Sequence, residues 1–469
     1  MGKISCQANK PRIPAAEGDI QVNFCKNPPC PNFGVPASTK KQPRGPGAKL
    51  RGRDKYVVNA TESQWPTLRC LQCNEHPPIK SNYGIYEEFL RLTENLKLLP
   101  ILSCPNPSCA NHSRGIDLGK AYYSSFGTTK GGSKRYRCKI CGKTFSIGKS
   151  TVRQRKPHLN KLIFKLLMNK SPFRRICEIA DISPQTLYDK MAFLYKQCQI
   201  FSGNRERNLS NMPIRRVYVG IDRQDYVVNW TNRLDKRNTT FQAVGSADNK
   251  TGYVFGMHLN FDPALDPIHV EQNAKDICDH TLPHPFRRYA RVWLLRDYEE
   301  AINRKIKKQL RRNRSKLSEK IKARYDEALL RPDIEAFESL NEFMQLPKHG
   351  MQVHAEYTLY GHYFLLKYLF SKVQKVRFFL DQDSGMRAAC LGAFQPEIQH
   401  RTCDAFYVRI SKKMTVPQKR KALETSRSEF KRVQKLHPEL TTNQVKLLMI
   451  KQRIASMDEF GKWKDKWLE

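Results

Sequence analysis

The sequence lacks an apolar run near the roughly 18 residues that a membrane-spanning helix needs. Its first residues, MGKISCQANKPRIPAAEGD, also lack the apolar stretch of a secretory signal peptide. Disulfide bonds are therefore not expected among the 14 cysteines, and short-spaced cysteine pairs favour metal binding instead. These absences exclude membrane-embedded and secreted classes and predict a cytoplasmic protein that has no membrane partner.

Acidic residues are scarce relative to basic ones. Asp and Glu total 44 against 83 Lys and Arg, which gives a formal net charge of +39 over 469 residues. Such an excess repels itself in a compact fold and attracts polyanions, and solubility alone needs far less charge. Nucleic acid is the favoured partner, and an anionic membrane surface, which no amphipathic anchor supports, comes second.

A pattern of paired cysteines occurs twice along the chain. Residues 22–34 (VNFCKNPPCPNFG) match residues 102–115 (LSCPNPSCANHSRG), and RCLQC at 69–73 matches RCKIC at 137–141. Both copies share C-x-N-P-x-C-x-N, a basic stretch with tyrosine, and R-C-x-x-C. Detail of this kind indicates a duplication.

Each copy contains two short-spaced cysteine pairs, the ligand set that a tetrahedral structural Zn²⁺ site uses. We therefore predict one zinc ribbon over residues 21–80 and a second over 100–150, with residues 1–20 as a flexible tail. Neither ribbon is large enough to fold without its metal. The predicted ligands are Cys25, Cys30, Cys70 and Cys73 in the first copy, and Cys104, Cys109, Cys138 and Cys141 in the second.

Residues 156–200 carry apolar side chains at helical spacing and two Ser-Pro pairs. Ser183-Pro184 predicts the start of a third helix, after a turn at Asp181-Ile182. This arrangement predicts a helix-turn-helix whose third helix enters the major groove, although the same helices could pack without binding DNA. The residues predicted to point outward and reach base edges of double-stranded DNA are Gln185, Thr186, Tyr188 and Lys190.

Five apolar runs in the C-terminal half predict β-strands. They are residues 215–222, 239–247, 252–260, 376–381 and 402–410. The first ends in Asp222 and the fourth in Asp381. This order predicts an RNase H-like α/β domain over residues 214–410, with the first and fourth strands side by side. The two carboxylates would then meet and suit two Mg²⁺ ions, or Mn²⁺.

Two further segments belong to this half of the chain. A helical insertion is predicted over about residues 261–350, and it includes a strongly basic helix at 301–324 that suits phosphate contact. An aromatic helix at 354–374 is predicted to pack on the sheet, with His354 and His362 as structural residues. Residues 411–469 are predicted to be helical. The expected fold class is therefore multi-domain α+β.

Two segments resemble known transposases. The run from Tyr136 to Phe145 resembles the zinc ribbons at the front of bacterial insertion-sequence transposases. Residues 381–404 (DQDSGMRAACLGAFQPEIQHRTCD) resemble the second-aspartate segment of Mutator-like and related bacterial insertion-element transposases. The resemblance implies a nucleoid-associated bacterial enzyme that cleaves and transfers DNA strands at element ends with a DDE triad, acting as a homo-oligomer on DNA.

The sequence departs from that family at two points. The family often has a histidine shortly after the cysteine that matches Cys403, and this chain has none there. The third carboxylate is not identifiable: Glu424, Glu429 and Glu459 are all candidates, but none has a distinctive neighbourhood. The stretch that holds them resembles the family's helical insertion, in which case the chain ends before its catalytic glutamate. Asp383 also competes with Asp381, and Asp225 competes with Asp222.

Three functions remain compatible with these patterns. The first is a Mg²⁺-dependent DDE transposase. The second is a truncated or repurposed transposase that binds DNA without cutting it. The third is a zinc-ribbon transcription regulator whose C-terminal half is only a scaffold. A third carboxylate beside Asp222 and Asp381 would separate the first function from the other two.

Overall fold

The computed structural model describes most of the chain. The described residues are 11–40, 54–59, 65–97, 102–112, 114–116, 121–147, 154–229, 237–301, 345–381, 383–408, 415–456, 459–460 and 465–466. They form two compact units. One unit comprises Met1–Leu92 with Met212–Glu469, and the other comprises Thr93–Asn211.

Strands and helices occur in both units. The strands are β1 (Tyr56–Asn59), β2 (Thr67–Cys70), β3 (Tyr123–Thr128), β4 (Lys134–Cys138), β5 (Thr144–Ser146), β6 (Ile214–Asn229), β7 (Asn238–Asp248), β8 (Val254–Leu259), β9 (Phe261–Asp262), β10 (Met351–Gln352), β11 (Val373–Leu380), β12 (Cys403–Tyr407), β13 (Glu459–Phe460) and β14 (Asp465–Lys466). The helices are α1 (Asn82–Leu92), α2 (Glu94–Lys97), α3 (Asn160–Met168), α4 (Phe173–Ala180), α5 (Pro184–Leu209), α6 (Pro267–Asp276), α7 (Ala355–Leu369), α8 (Ser384–Ala393), α9 (Gln395–Gln399), α10 (Val416–Leu436) and α11 (Thr442–Ser456).

A five-stranded mixed sheet lies at the centre of the first unit, in the order β12-β11-β6-β7-β8. β6, β7 and β8 form an antiparallel meander, whereas β11 runs parallel to both β6 and β12. The first and fourth strands of this sheet are therefore neighbours, as the sequence predicted. The five strands also fall on the five predicted apolar runs.

Alternation along the strands gives the sheet two different faces. Val219 and Ile221 of β6 are buried together with Phe378 of β11. Helices cover this face, because Phe378 makes edge-to-face ring contacts with Tyr363 of α7 (5.6 Å) and Phe394, which follows α8 (4.9 Å). The neighbouring positions on the opposite face are half-buried or exposed in the described chain, and Asp222 is among them. The predicted aromatic helix is thus α7, a core helix.

The first cysteine-rich copy, residues 21–80 (module 1 below), packs against the helical side of this sheet. Phe24 and Phe33 form a buried cluster with Leu391 of α8. The side chain of Gln399 in α9 donates to the carbonyl of Phe33 at 3.0 Å. Module 1 therefore belongs to the same compact unit as the sheet, and the sequence did not predict this.

The prediction of a flexible tail over residues 1–20 is wrong for residues 11–20. Ile13 and Ile20 are buried. Arg12 forms an ion pair with Asp54 at 2.8 Å, and the Asn82 side chain donates to the carbonyl of Ala15 at 2.7 Å. Two apolar side chains in a Pro-rich, basic segment were too weak a signal to predict this packing.

The second unit holds the second cysteine-rich copy, residues 102–147 (module 2 below), and the three helices α3, α4 and α5. Module 2 is built on the antiparallel strands β3, β4 and β5. Ile163, Ile176, Ala180 and Leu187 form the buried core of the three helices. The predicted inward residues Met191 and Leu194 pack against that core.

Parts of the predicted helical insertion (261–350) and of the predicted C-terminal helical segment (411–469) lie outside the described residues. The predicted basic helix at 301–324 lies outside them from residue 302 onward. In the C-terminal region, α10 and α11 are helical as predicted, with Val433 and Val445 as their buried residues. The prediction of a helical segment over residues 411–469 is wrong at its end, where β13 and β14 pair antiparallel. Within the described chain, we find no helix with the length and apolar character to span a membrane.

Candidate metal centres and nucleic-acid interface

Each predicted set of four cysteines converges on one point. In both sets the four Sγ atoms lie within 4.8 Å of one another. The Cys25–Cys73 and Cys30–Cys70 distances are 3.4 and 3.8 Å, and the Cys104–Cys141 and Cys109–Cys138 distances are 3.3 and 3.7 Å. Tetrahedral ligands at the usual Zn–S length of about 2.3 Å are about 3.8 Å apart. The donor sets therefore fit Zn²⁺, and each could hold one ion.

Hydrogen bonds at the C-x-x-C turns favour the thiolate form that zinc needs. Burial alone would raise the pKa of Cys138. Backbone N–H groups of Cys141 and Ile140 and the Asn111 amide outweigh burial and lower that pKa to about 6. In module 1 burial likewise opposes the shift, yet the Asn32 amide and the backbone N–H of Cys73 lower the pKa of Cys70. The C-x-x-C turns of both modules thus stabilise the thiolate form of the third cysteine.

A tyrosine and an asparagine support both metal centres in the same way. Tyr56 pairs with Cys70 across β1 and β2, and Tyr123 pairs with Cys138 across β3 and β4. The Tyr56 hydroxyl accepts from the Cys25 N–H (3.1 Å) and donates to the Asn32 carbonyl (2.8 Å). The Tyr123 hydroxyl makes the matching bonds with module 2 (3.0 and 2.7 Å).

The asparagines complete this duplicated arrangement. Asn32 donates its side-chain amide to the Sγ of Cys70 at 3.3 Å, and Asn111 donates to the Sγ of Cys138 at 3.4 Å. Sequence reasoning found both asparagines as part of the repeat but gave them no role. Their recurrence two residues after the second cysteine was the available signal.

Buried charges surround the metal centre of module 1. Four thiolates around Zn²⁺ carry a net charge of about −2. Two basic groups lie near it: Lys26, whose Nζ is 3.8 Å from the Phe24 ring centroid, and Arg387 of α8. Glu75 interacts with both basic groups, and it lies 3.2 Å from the Sγ of Cys25 and 3.7 Å from Arg387. Burial raises the pKa of Glu75, and Arg387 opposes that shift.

Module 2 has a different surface at the aligned positions. Counting from R-C-x-x-C, Lys139 stands where module 1 has Leu71, and Lys143 stands where it has Glu75. Both lysines are exposed, as is Arg137. Ile140 is exposed as well. This surface combines cations with an apolar side chain, a composition that suits phosphate contact.

The third predicted helix begins as the sequence indicated. Ser183 caps α5 by accepting from the Thr186 N–H at 3.3 Å, and Asp181 ends α4 in a left-handed conformation with φ of 46°. Gln185 and Tyr188 are exposed and Thr186 is half-buried. These three side chains lie near the start of α5, where the sequence placed them.

The prediction that Lys190 points outward is wrong. Its side chain is 2% exposed, and its Nζ donates to the Arg155 carbonyl, the Lys156 carbonyl and the Asn160 side chain (2.5, 3.2 and 2.6 Å). Burial lowers its pKa. Lys190 thus ties the segment before α3 to α5. Its position three residues after Leu187, on the same helical side, was the signal that could have shown this.

The two predicted catalytic aspartates come together at one edge of the sheet. Ile221 of β6 pairs with Leu380 of β11, so Asp222 and Asp381 are the next residues along two neighbouring parallel strands. Both are exposed. Asp222 accepts from the Arg223 N–H at 2.8 Å. A Cβ added at Gly245, which pairs with Asp222, would meet no atom within 4 Å, so space is open beside this carboxylate.

The competing aspartates have other surroundings. Asp383 caps α8 by accepting from the N–H groups of Gly385 and Met386 (2.7 and 3.3 Å), and it pairs with Arg223 at 2.8 Å. Asp225 lies three residues beyond Asp222 on β6. Since side chains alternate along a strand, it projects from the other face.

A third carboxylate does not join this pair among the described residues. Among the described residues, two groups of three or more His, Cys, Asp or Glu side chains could share one metal ion, and both are the four-cysteine sets. Asp222 and Asp381 belong to neither group. Glu424 and Glu429 lie exposed on α10, and Glu459 lies in β13. The sequence offered no distinctive candidate, and the described structure adds none.

Comparison with known proteins gave no relative for this chain: no protein-family model, no curated protein and no solved structure matches it.

Proposed function

We propose that this chain is a DNA transposase of the DDE type, with a helix-turn-helix and zinc-stabilised modules ahead of an RNase H-like domain. The observation that carries the proposal is the pairing of β6 with β11. It brings Asp222 and Asp381 to adjacent positions on two inner strands, at the same edge of the β12-β11-β6-β7-β8 sheet. Two neighbouring carboxylates repel each other, so these positions favour a divalent cation between the two side chains.

DNA binding is supported by charge and by exposed side chains. The net charge of +39 favours a polyanionic partner. Gln185, Thr186 and Tyr188 near the start of α5 suit base contacts in a major groove. The cations of module 2 suit contacts to the backbone phosphates. The chain would act as a homo-oligomer that holds two element ends, as the resemblance implies.

In this proposal, the chain's own groups position the reacting DNA. Asp222 and Asp381 would hold Mg²⁺ or Mn²⁺, which would activate the attacking oxygen and stabilise the leaving one. The Arg223 N–H orients the Asp222 carboxylate at 2.8 Å. The Asp383–Arg223 ion pair fixes the residue that precedes α8, two positions after Asp381.

The test is cleavage of DNA that carries the sequences flanking the chain's own gene, with Mg²⁺ or Mn²⁺. Asp222→Asn and Asp381→Asn are each expected to abolish nicking while leaving DNA affinity unchanged. Asp225→Asn is the matched control on the same strand and should retain nicking. Nicking that survives in both Asp222→Asn and Asp381→Asn would contradict the assignment.

One observation favours a second candidate, a transposase-derived protein that binds DNA without cutting it. The described residues bring no third carboxylate to Asp222 and Asp381. Tight, sequence-specific binding without nicking in any version of the chain would establish this function instead.

A further inference from the structure

A cavity of about 190 Å³ lies between module 1 and the carboxyl ends of the central strands. Its lining includes Asn27, Pro29, Leu380, Arg387, Leu391 and Tyr407. Leu380 is the residue directly before Asp381. The cavity therefore lies behind the carboxylate pair, on the helix-covered face of the sheet.

One of the residues that line this cavity carries an unsatisfied acceptor. Asn27 is 5% exposed, and its Oδ1 has no hydrogen-bond partner among the described residues. In module 2 the aligned Asn106 accepts from the N–H of Ser108 at 3.3 Å. Module 1 has Pro29 at the position of Ser108, and proline has no N–H to donate. Module 1 thus has the asparagine but lacks the local N–H donor that module 2 has.

The acceptor shares the cavity with a buried cation and flat apolar walls. The Arg387 side chain is 7% exposed, and its guanidinium group carries several N–H donors. Its Nη1 atom lies 3.7 Å from the Glu75 carboxylate. Pro28, Pro29 and Leu391 supply apolar lining. A buried acceptor left without a partner is costly, so a ligand that donates to Asn27 and accepts from Arg387 is favoured.

The volume of the cavity suits one aromatic ring system. A protein cavity of about 150 Å³ holds benzene. The cavity here is larger, at about 190 Å³, and carries polar groups at two points. A nucleobase with an exocyclic amine is planar, fits that scale, and offers a donor and an acceptor along one edge.

We propose that this cavity binds a single amino-bearing nucleobase, which is an unpaired base of the DNA strand held at the carboxylate pair. The proposal rests on the proposed function for the presence of DNA at that edge of the sheet. Removing one base from the stack has a free-energy cost. The Asn27 and Arg387 contacts and the apolar walls would offset this cost. The captured base would also fix the position of the strand relative to Asp381.

The experiment uses the full zinc-loaded chain and DNA with 2-aminopurine placed at successive positions around the expected cleavage site. We expect bright, unstacked fluorescence at one position. Asn27→Ala should abolish that signal, whereas Asn106→Ala, the aligned control, should retain it. At that position, replacing an adenine by purine, which lacks the amine, should weaken binding about tenfold for the native chain and leave Asn27→Ala unaffected.

The outcomes separate this proposal from the proposed function. DNA binding measured by anisotropy, with equally dim fluorescence at every position, would overturn the base site and leave the transposase proposal standing. Failure to nick, with a bright position that depends on Asn27, would support the base site and refute the enzyme. Binding of free adenosine monophosphate that depends on Asn27, with no bright DNA position, would overturn the DNA strand as the source of the base.

Discussion

Modules 1 and 2 hold the same metal-binding core in different surroundings. Both place a tyrosine opposite the third cysteine and an asparagine amide on its sulfur. Module 1 then uses Phe24 and Phe33 to pack on α8, whereas module 2 has Ser103 and His112 at the aligned positions. The zinc-binding core and the use of the module are therefore encoded by separate residues.

This difference shows how a duplicated module acquires two tasks. In module 1, Phe24 and Phe33 pack on α8 and Glu75 is buried beside Arg387, so the module supports the sheet. In module 2 an exposed lysine, Lys143, stands at the position of Glu75, so the surface can contact a polyanion. Three comparisons between aligned residues, and one between two exposed lysines, test this contrast.

The largest expected effect comes from losing a metal ligand in module 1. Cys70→Ser should destabilise the whole first unit, because a structural zinc contributes on the order of 10 kcal/mol of folding free energy. Cys138→Ser, the aligned change, should unfold module 2 and leave the sheet intact. Thermal unfolding by circular dichroism, with zinc content by mass spectrometry, measures both. If both variants lose the main thermal unfolding transition to the same extent, the two modules do not differ in how they support the first unit.

The next effect concerns the packing of module 1 on the helices. Phe33→Ala should cost about 3–5 kcal/mol, because it leaves a cavity beside Leu391 in a buried cluster. His112→Ala, its counterpart in module 2, should cost less than about 1 kcal/mol, since His112 is exposed. Urea denaturation of the zinc-loaded chain gives both values. Similar costs would show that module 2 is also docked through this position.

A smaller effect tests the shared asparagine. The Asn111 amide helps to lower the pKa of Cys138 to about 6, so Asn111→Ala should raise that pKa. Protons would then compete with zinc at higher pH, and half of the metal at site 2 should be released at a higher pH than in the native chain, by about one unit or less. Release is followed with a chromogenic chelator. Asn32→Ala should shift site 1 in the same direction, and opposite directions would refute a common role.

The smallest effect concerns the exposed charge of module 2. Lys143→Gln should lower the slope of log affinity against log salt by about one unit, as expected for one lost phosphate contact. Lys250→Gln, a change in the β7–β8 turn, serves as the control for an exposed lysine elsewhere. Fluorescence anisotropy of labelled DNA at several salt concentrations measures the slopes. An unchanged slope for Lys143→Gln would remove module 2 from the interface.

Local patterns in the sequence predicted most elements of this fold. Cysteine spacing located both metal sites, and the Ser-Pro pair at 183–184 located the start of α5. Apolar runs located all five strands of the main sheet. These features depend on neighbours within a few residues, so the sequence displays them directly.

The features that the sequence did not predict depend on distant partners. Lys190 is buried because backbone carbonyls more than 30 residues away converge on it. Residues 11–20 are ordered because Asp54 and Asn82 bind them. Module 1 docks because α8 and α9, more than 350 residues later, present matching side chains. Periodicity carries no information about such contacts.

The separation between Phe33 and Gln399 also affects how the chain is made. These residues are 366 positions apart, so module 1 leaves the ribosome long before α9 exists. At about 5–20 residues per second, the delay is roughly 20–70 s. During that time zinc can already fold the module, yet its Phe24 and Phe33 face has nothing to pack against. Newly synthesised module 1 is therefore a transient, aggregation-prone surface, and a chaperone that shields aromatic side chains would raise the yield of folded chain.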